Sequence, residues 1–489
     1  MTGRSFGPFT QAGRPGLHSP DTRGHGASAA IASRLRKDAG RFLVAKPHLL
    51  YIAFSFPPST ASSVYRCTAV ANAFVAQGWD VTVVTLSANI WSEISGTDPG
   101  LIDSMDPRVK LVHVDDGGAE EPNRRDLRRY SRLRIEAPYL WKELFRRRHV
   151  GDFPEDFHGL WFGPAGRAAQ AVHRKRPANL VMATASPYIS FKVARSIGSV
   201  PYVLDYRDAW AFNTFTGKEV HSVDSAKGIL EADYLRNALQ VWFVNEPIRN
   251  EYARRYADSA ARMRVVPNGF DPQPGHARPS ARITRAPRYG YLGTLQYTAV
   301  PLQEFLAGWD MAAAGRAGGS AVFRGKLSPT GLVPADVLET FNSGIHDGLS
   351  YEGPISKRDV ASFYQTLDAL LLILPPGKFV TGGKTAEYLA TGLPIISIHD
   401  LDSAATEMLR EYPLWFPAKD LRPESIADAI RECGAALANP DRHRWDAAWD
   451  YGQQFARNRV LIPAIEDLGA AVEYTPSAPG TEPDERHQA

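Results

Sequence analysis

A lysine, a threonine and a glutamate follow a pair of glycines in the stretch Pro375–Ser397, PPGKFVTGGKTAEYLATGLPIIS. These residue types suit one kind of chemistry. Gly377, Gly382 and Gly383 let backbone N–H groups approach a phosphate, and Lys384 and Thr385 open what reads as a helix N-terminus. Lys384 adds a point charge. Glu387 comes three residues later, so both side chains can share one helical face. A carboxylate there suits a sugar hydroxyl pair better than a phosphate. Together they predict a nucleotide-sugar pocket. The same residues also fit a plain turn followed by a carboxylate that complements the helix dipole.

A Walker A loop is excluded by register. Its Gly-Lys-Thr must follow another glycine five positions before Gly383, and Lys378 stands there.

Strands and helices must hold these residues in place. The apolar runs Ala369–Leu374 and Leu393–Ile398 flank the loop and read as strands. Near the start comes a β-loop-α-β unit: HLLYIAF from His48, the loop SFPPSTASS, a helical pattern over Arg66–Gln77, then WDVTVVTL. Further strand-like runs are Val109–Asp115, Asn179–Ala185, Tyr202–Tyr206, Gln240–Val244 and Met263–Pro267. A second series holds Arg288–Gly293, Ser320–Phe323, Leu349–Glu352 and Leu414–Phe416 besides the two flanking runs. Alternation with helical segments predicts an α/β chain of two doubly wound, Rossmann-like domains. Open parallel sheets bind ligands at the carboxyl ends of their strands, where these loops lie.

The expected division is a disordered basic arm over 1–46, a first domain over 47–270 and a Pro- and Arg-rich linker over 271–287. A second domain follows over 288–440. From Pro423 the chain turns helical, with breaks at Pro440 and Pro463, and the helices over 441–472 bring Trp445, Trp449 and Phe455 to the domain junction. A disordered polar tail covers 473–489.

Composition narrows the function classes. A chain of 489 residues with 44% hydrophobic content has ample core for two to three domains. A net charge of +3 without a recognition motif does not indicate a nucleic-acid binder. Cys67 and Cys433 lie far apart, so a disulfide framework is not expected and a reducing cytoplasm is the default. No apolar run reaches the roughly 18 residues of a membrane helix, and no hydrophobic signal core opens the chain. Between Arg124 and Arg148, arginines interleave with Leu127, Leu133, Ile135, Leu140, Trp141 and Phe145. That pattern fits a basic amphipathic segment lying on an anionic membrane at its inner face. It fits a solvated helical surface with a buried stripe equally well.

Five separate stretches then carry one resemblance. FPPSTASSVYRCTAVANAFVAQGWDVTVVTL, VLDYRDAW (Val203–Trp210), VVPNGFD (Val265–Asp271), YLGTL (Tyr291–Leu295) and GKTAEYLATGLPIIS stand in the order found in retaining GT-B glycosyltransferases of family four. The resemblance covers roughly His48 to Phe455. It implies two facing Rossmann-like domains, the second binding a nucleotide-diphosphate sugar and the first an acceptor, which is a sugar, a lipid-linked molecule or a small molecule. It also implies transfer with retention, no cofactor and no required metal. Glu387 matches the glutamate that the family places on the ribose, and Lys384 and the amides near Thr385 face the diphosphate. Gly293 and Thr294 match the phosphate loop, with Gly382 and Gly383 beside them. Arg324 and Lys326 of FRGK are further diphosphate candidates. Pro57, Ser62, Ser63 and Arg66 belong to the first loop, and Ser186 and Pro187 follow another strand toward the cleft. Asp205, Arg207 and Asp208 form a charged triplet. Arg207 there reads as a forked brace for both carboxylates, and Asp208 as an acceptor contact or base.

The sequence also departs from that pattern. Phe379 stands where relatives carry the first glutamate of Glu-x7-Glu, which touches the donor sugar. Ser59, Thr60 and Ala61 replace a Gly-Gly, and Gln296 and Tyr297 replace an Arg/Lys pair. Two other readings share the architecture: a nucleotide-sugar epimerase, which needs an acid/base set in the cleft, and a non-catalytic scaffold.

Overall fold

The computed structural model describes residues 46–94, 96–124, 126–149, 153–155, 158–271, 277–314, 317, 319–328 and 333–473. The arm expected over 1–46 and the tail expected over 473–489 fall outside these residues, apart from 46 and 473.

Each apolar run named above forms a strand, shifted at most two residues at its ends. The first lobe holds β1 (His48–Ala53), β2 (Asp80–Leu86), β3 (Lys110–Val114), β4 (Leu180–Ala185), β5 (Tyr202–Tyr206), β6 (Gln240–Phe243) and β7 (Met263–Val265). They pair in the order β3-β2-β1-β4-β5-β6-β7. The second lobe holds β8 (Arg288–Leu292), β9 (Ser320–Arg324), β10 (Leu349–Tyr351), β11 (Ala369–Ile373), β12 (Ile395–Ile398) and β13 (Trp415–Pro417). Their order is β10-β9-β8-β11-β12-β13. The pairings are parallel throughout, for example Leu50 with Thr82 and Val181, and Leu370 with Gly290 and Ile395.

Parallel strands covered on both faces need continuous apolar runs. β1 meets that demand: its six residues are all buried. Leu49 and Tyr51 face one core, which includes Phe74 of the helix Val64–Ala76, while Leu50 and Ile52 face the other. That is the two-residue alternation of a strand. The helix itself buries Cys67, Val70, Ala71 and Phe74, the spacing of one helical face. Strand order reverses between β1 and β4 and again between β8 and β11. Both switch points gather loops at the carboxyl ends of parallel strands.

The lobes are joined by two crossings that run side by side. Phe270 donates its N–H to the Phe455 carbonyl at 3.0 Å, and Arg457 donates to the Phe270 carbonyl at 2.9 Å. After the first crossing, 277–287 runs along the second lobe, where Arg282 pairs with Asp368 at 2.7 Å. Beyond helix Pro423–Ala438, helix Arg442–Gln453 adds Trp445 and Ala448 to the second-lobe core. Trp445 therefore packs inside one lobe, not across the junction. The last helix, Arg457–Glu473, returns to the first lobe and buries Leu461, Ile465 and Leu468 there. Pro440 separates two helices as expected, but Pro463 lies inside the last one. An interior proline costs about 3 kcal/mol, and the buried face around it offsets that.

Candidate functional site

The second switch point carries the pair that opened the sequence argument. The loop after β11 leads into helix Thr385–Thr391, which has 7 residues. So short a helix offers little dipole, and the local positive charge rests with Lys384. The Lys384 ammonium donates to Glu387 Oε2 at 2.8 Å, and the Tyr364 hydroxyl donates to Oε1 at 2.7 Å. Burial alone would raise the Glu387 pKa. The Lys384 charge, with the hydrogen bonds from Lys384 and Tyr364, outweighs it and holds the carboxyl below its ordinary value. Both side chains of the pair remain about one-third exposed, at 36% and 31%. A carboxylate offers about four acceptor positions and an ammonium three N–H donors. Each keeps capacity for a ligand. The next residue, Tyr388, accepts the Leu292 N–H at 2.8 Å and ties the helix to the end of β8.

The expected phosphate loop is built differently from the expectation. The Gly293 N–H is already engaged by the Arg324 carbonyl at 3.0 Å, and the Leu295 N–H by the Lys326 carbonyl at 2.8 Å. The loops after β8 and β9 are zipped together. Glycine is required where they meet, because a Cβ at Gly325, with φ +111°, would stand 2.1 Å from the Gly293 carbonyl oxygen. Gly293 borders the site: a Cβ added there would stand 3.6 Å from the Lys384 stem. Thr294 is exposed beside it. The Thr385 side chain is fully buried and its hydroxyl donates to the Thr381 carbonyl, so that hydroxyl does not face a ligand. Its amide donates to the Gly382 carbonyl at 3.2 Å. A Cβ at Gly383 would meet open space, whereas one at Gly382 would strike Leu374. Arg324 is held by Glu352, through its carbonyl at 2.8 Å and its carboxylate at 2.5 Å. Lys326 is exposed.

In the first lobe the charged residues divide sharply. Arg66 is 3% exposed and grips Asp205, itself 0% exposed, with Nε and Nη2 at 2.7–3.0 Å. Its Nη1 donates to the Pro267 carbonyl at 3.0 Å. Thr184 donates to Asp205 Oδ2 at 2.9 Å, with the Tyr51 hydroxyl 2.7 Å behind it. Arg66 is thus the forked brace that the sequence assigned to Arg207, and neither Arg66 nor Asp205 opens on the cleft. Arg207 pairs only loosely with Asp208, at 3.5 Å, and Asp208 remains 53% exposed at the carboxyl end of β5. Pro57, Ser63 and Pro187 are buried, while Ser62 is exposed just before the helix Val64–Ala76 and Ser186 directly after β4. Trp210 stacks between Tyr188 (4.7 Å) and Phe153 (5.4 Å), as a core residue. A crevice of about 400 Å³ opens beside the helix Val64–Ala76 and is lined by Tyr65, Thr68, Asn72, Leu101, Arg457 and Leu461. Its lining includes neither Lys384 nor Glu387.

The arginine segment is less basic on its surface than its sequence suggests. Arg124 and Arg134 are buried and held by Glu93, Asp116 and Glu121. Arg128, Arg132, Arg146 and Arg147 pair with Asp126, Glu136 and Glu143. The segment exposes apolar side chains instead: Leu127, Ile135, Tyr139, Leu140 and Leu144. Among the described residues no helix is long and apolar enough to cross a membrane, and no group of three His, Cys, Asp or Glu gathers as for a metal.

Sequence reasoning missed Tyr364 and Gly325. Tyr364 lies 23 residues before Glu387, so no local spacing links them. Gly325 was visible inside FRGK, between two residues chosen for their charge.

With the geometry established, comparison with known proteins gives a consistent result. Residues 63–269 match the family model described as a glycosyl transferase 4-like domain. No curated protein sequence matches. A glycosyltransferase structure from Rickettsia africae superposes with a TM-score of 0.57 at 13% identity, covering 88% of this chain and 100% of that one. Sucrose-phosphate synthase from Thermosynechococcus elongatus gives 0.54 at 18% identity, covering 87% and 100%. Anabaena HepE, in a structure with UDP, gives 0.54 at 13% identity, covering 86% and 100%. The chain therefore has the two-lobed GT-B fold of these glycosyltransferases, with a glycosyl transferase 4-like domain matched over residues 63–269.

Proposed function

We propose that this chain transfers a sugar from a nucleotide-diphosphate sugar to an acceptor hydroxyl, with retention of anomeric configuration and without a required metal. The observation that carries the reading is the one-third exposed Lys384–Glu387 pair at the second switch point. Lys384 is the cation for the leaving diphosphate, whose negative charge grows as the glycosidic bond breaks. Glu387 accepts from the ribose hydroxyls. The amide of Thr294 and the space over Gly383 complete the donor side. Asp208, with Ser62 and Ser186, forms the acceptor side. The HepE structures with UDP and with UDP-glucose support a uridine nucleotide as the first donor to try. Retention and metal independence rest on the family resemblance. A lipid-linked acceptor is favoured by the apolar side chains exposed over 127–144, and a peripheral position at the inner membrane face goes with it.

A thermal-shift screen with UDP, GDP, ADP and TDP tests the donor reading, because binding to the native state raises its melting point. One diphosphate should raise it by several degrees. No shift with any of the four contradicts a donor site and leaves a non-catalytic scaffold. Incubating the matching nucleotide sugar without acceptor separates transferase from epimerase, since only the latter yields an epimer. Flotation with anionic and neutral liposomes tests the membrane position, which equal absence from both would remove.

A further inference from the structure

We infer that Asn245, on the first lobe, is a positioning residue for the donor loop of the second. Asn245 caps the helix Glu246–Arg255 by accepting the Ile248 N–H at 2.9 Å. That occupies Oδ1 and leaves the amide nitrogen. Nδ2 reaches the other lobe, donating to the Phe379 carbonyl at 3.1 Å and to Thr381 Oγ1 at 2.7 Å. The residue is 7% exposed, so water competes little for these bonds.

The surrounding contacts act in the same sense. The Phe379 ring lies 4.5 Å from that of Phe212, which is 1% exposed in the first lobe. Gly377, at φ +141°, lies so close to Phe215 that a Cβ would stand 2.4 Å from its carbonyl oxygen. The first-lobe segment carrying Phe212 is itself anchored from below. The N–H groups of Trp210 and Ala211 donate to the Tyr252 hydroxyl at 2.8 and 3.1 Å. Tyr252 donates to Glu231 at 2.8 Å, and Glu231, 0% exposed, also receives Tyr206, Tyr256 and His221.

The donor loop is thus gripped by the first lobe at residues 377, 379 and 381, and Lys384 follows three residues later. Thr381 passes the constraint on, since its carbonyl accepts the Thr385 hydroxyl at the start of the helix that carries Glu387. Phe379 stands where the family resemblance implies a sugar-touching glutamate. In this chain that position packs against the opposite lobe, while Gly377, Lys378 and Val380 are held within their own lobe by Asp400, Ala404 and Ala405, so the Lys384–Glu387 geometry is set from both sides of the cleft. Donor affinity is therefore linked to the seating of one lobe on the other, through the Asn245 amide and the Phe212 and Phe215 contacts beside it. This inference rests on the nucleotide-sugar reading for its consequence, but not for the contact itself.

Asn245→Ser keeps a helix-capping hydroxyl and removes the reach to Phe379 and Thr381. Asn245→Asp keeps the cap and sets a carboxylate against the Phe379 carbonyl. Hydrogen–deuterium exchange of the nucleotide-free protein is the first measurement. Amides over 375–388 should exchange faster in both variants, with exchange over 246–255 unchanged. Unchanged exchange over 375–388 overturns the inference whatever the protein binds. Titration with UDP is the second. Both variants should lose about tenfold in affinity, and the loss from Asn245→Ser should vanish in a Lys384→Ala background, because Asn245 acts through Lys384. Equal losses in both backgrounds overturn it. Failure of the wild type to bind any nucleoside diphosphate sinks the donor reading instead, and exchange alone then decides the contact.

Discussion

Two ion pairs sit near the carboxyl ends of parallel strands, one in each lobe, and they do opposite work. Arg66 and Asp205 are both sealed from solvent, and every strong hydrogen-bonding position on Asp205 is answered by protein. Lys384 and Glu387 are bonded to each other yet remain one-third open to solvent. The first pair joins a helix, the central strands and the exit to the second lobe. The second keeps donors and acceptors for something else. A charged motif at a strand end is therefore not a site until its burial and its spare valence are known.

The largest effect that could break this contrast is on stability. Arg66→Ala leaves Asp205 buried without its partner, which should cost about 3–5 kcal/mol in denaturant unfolding. A cost under about 1 kcal/mol would put Arg66 on the ligand side. Glu231→Gln removes a charge that four side chains donate to, so about 2–4 kcal/mol should be lost. Lys384→Ala and Glu387→Ala should change stability by no more than about 1 kcal/mol, since the pair is partly exposed. Each should lower affinity for the nucleoside diphosphate about 10- to 100-fold in calorimetric titration. Near-normal binding in both would erase the distinction between the pairs.

The smallest effect is on pH dependence. The Glu387 carboxyl is held below its ordinary value of 4.5. A lowered folded pKa gives stability that is fully present above the unfolded value and is lost as pH falls through the folded one. The stability difference between wild type and Glu387→Gln should stay constant from neutral pH down to the ordinary carboxylate range and shrink below it. Unfolding curves at a series of acid pH values measure this, and a difference that shrinks above that range would reverse the sign.

Much of the fold was legible because parallel strands buried on both faces write themselves as unbroken apolar runs, as in HLLYIA and ALLLI. The Lys384–Glu387 pair was legible for a similar reason: three residues of spacing on a helix guarantee proximity. Long-range partners carried no such signal. Arg66 and Asp205 are 139 positions apart, and Asn245 and Thr381 136. The sequence offered Arg207, two residues from Asp205, as the brace, because adjacency was the only distance available to it. Pro463 misled in the same way, since its local preference yields to the buried face of the last helix.

The most direct test of the central claim is a crystal structure of the wild-type protein with the nucleoside diphosphate that gives the largest thermal shift. The account predicts ribose hydroxyls within hydrogen-bond distance of Glu387 and diphosphate oxygens on Lys384. A nucleotide bound elsewhere, such as the crevice at Tyr65 and Arg457, with the Lys384–Glu387 pair untouched, would contradict it.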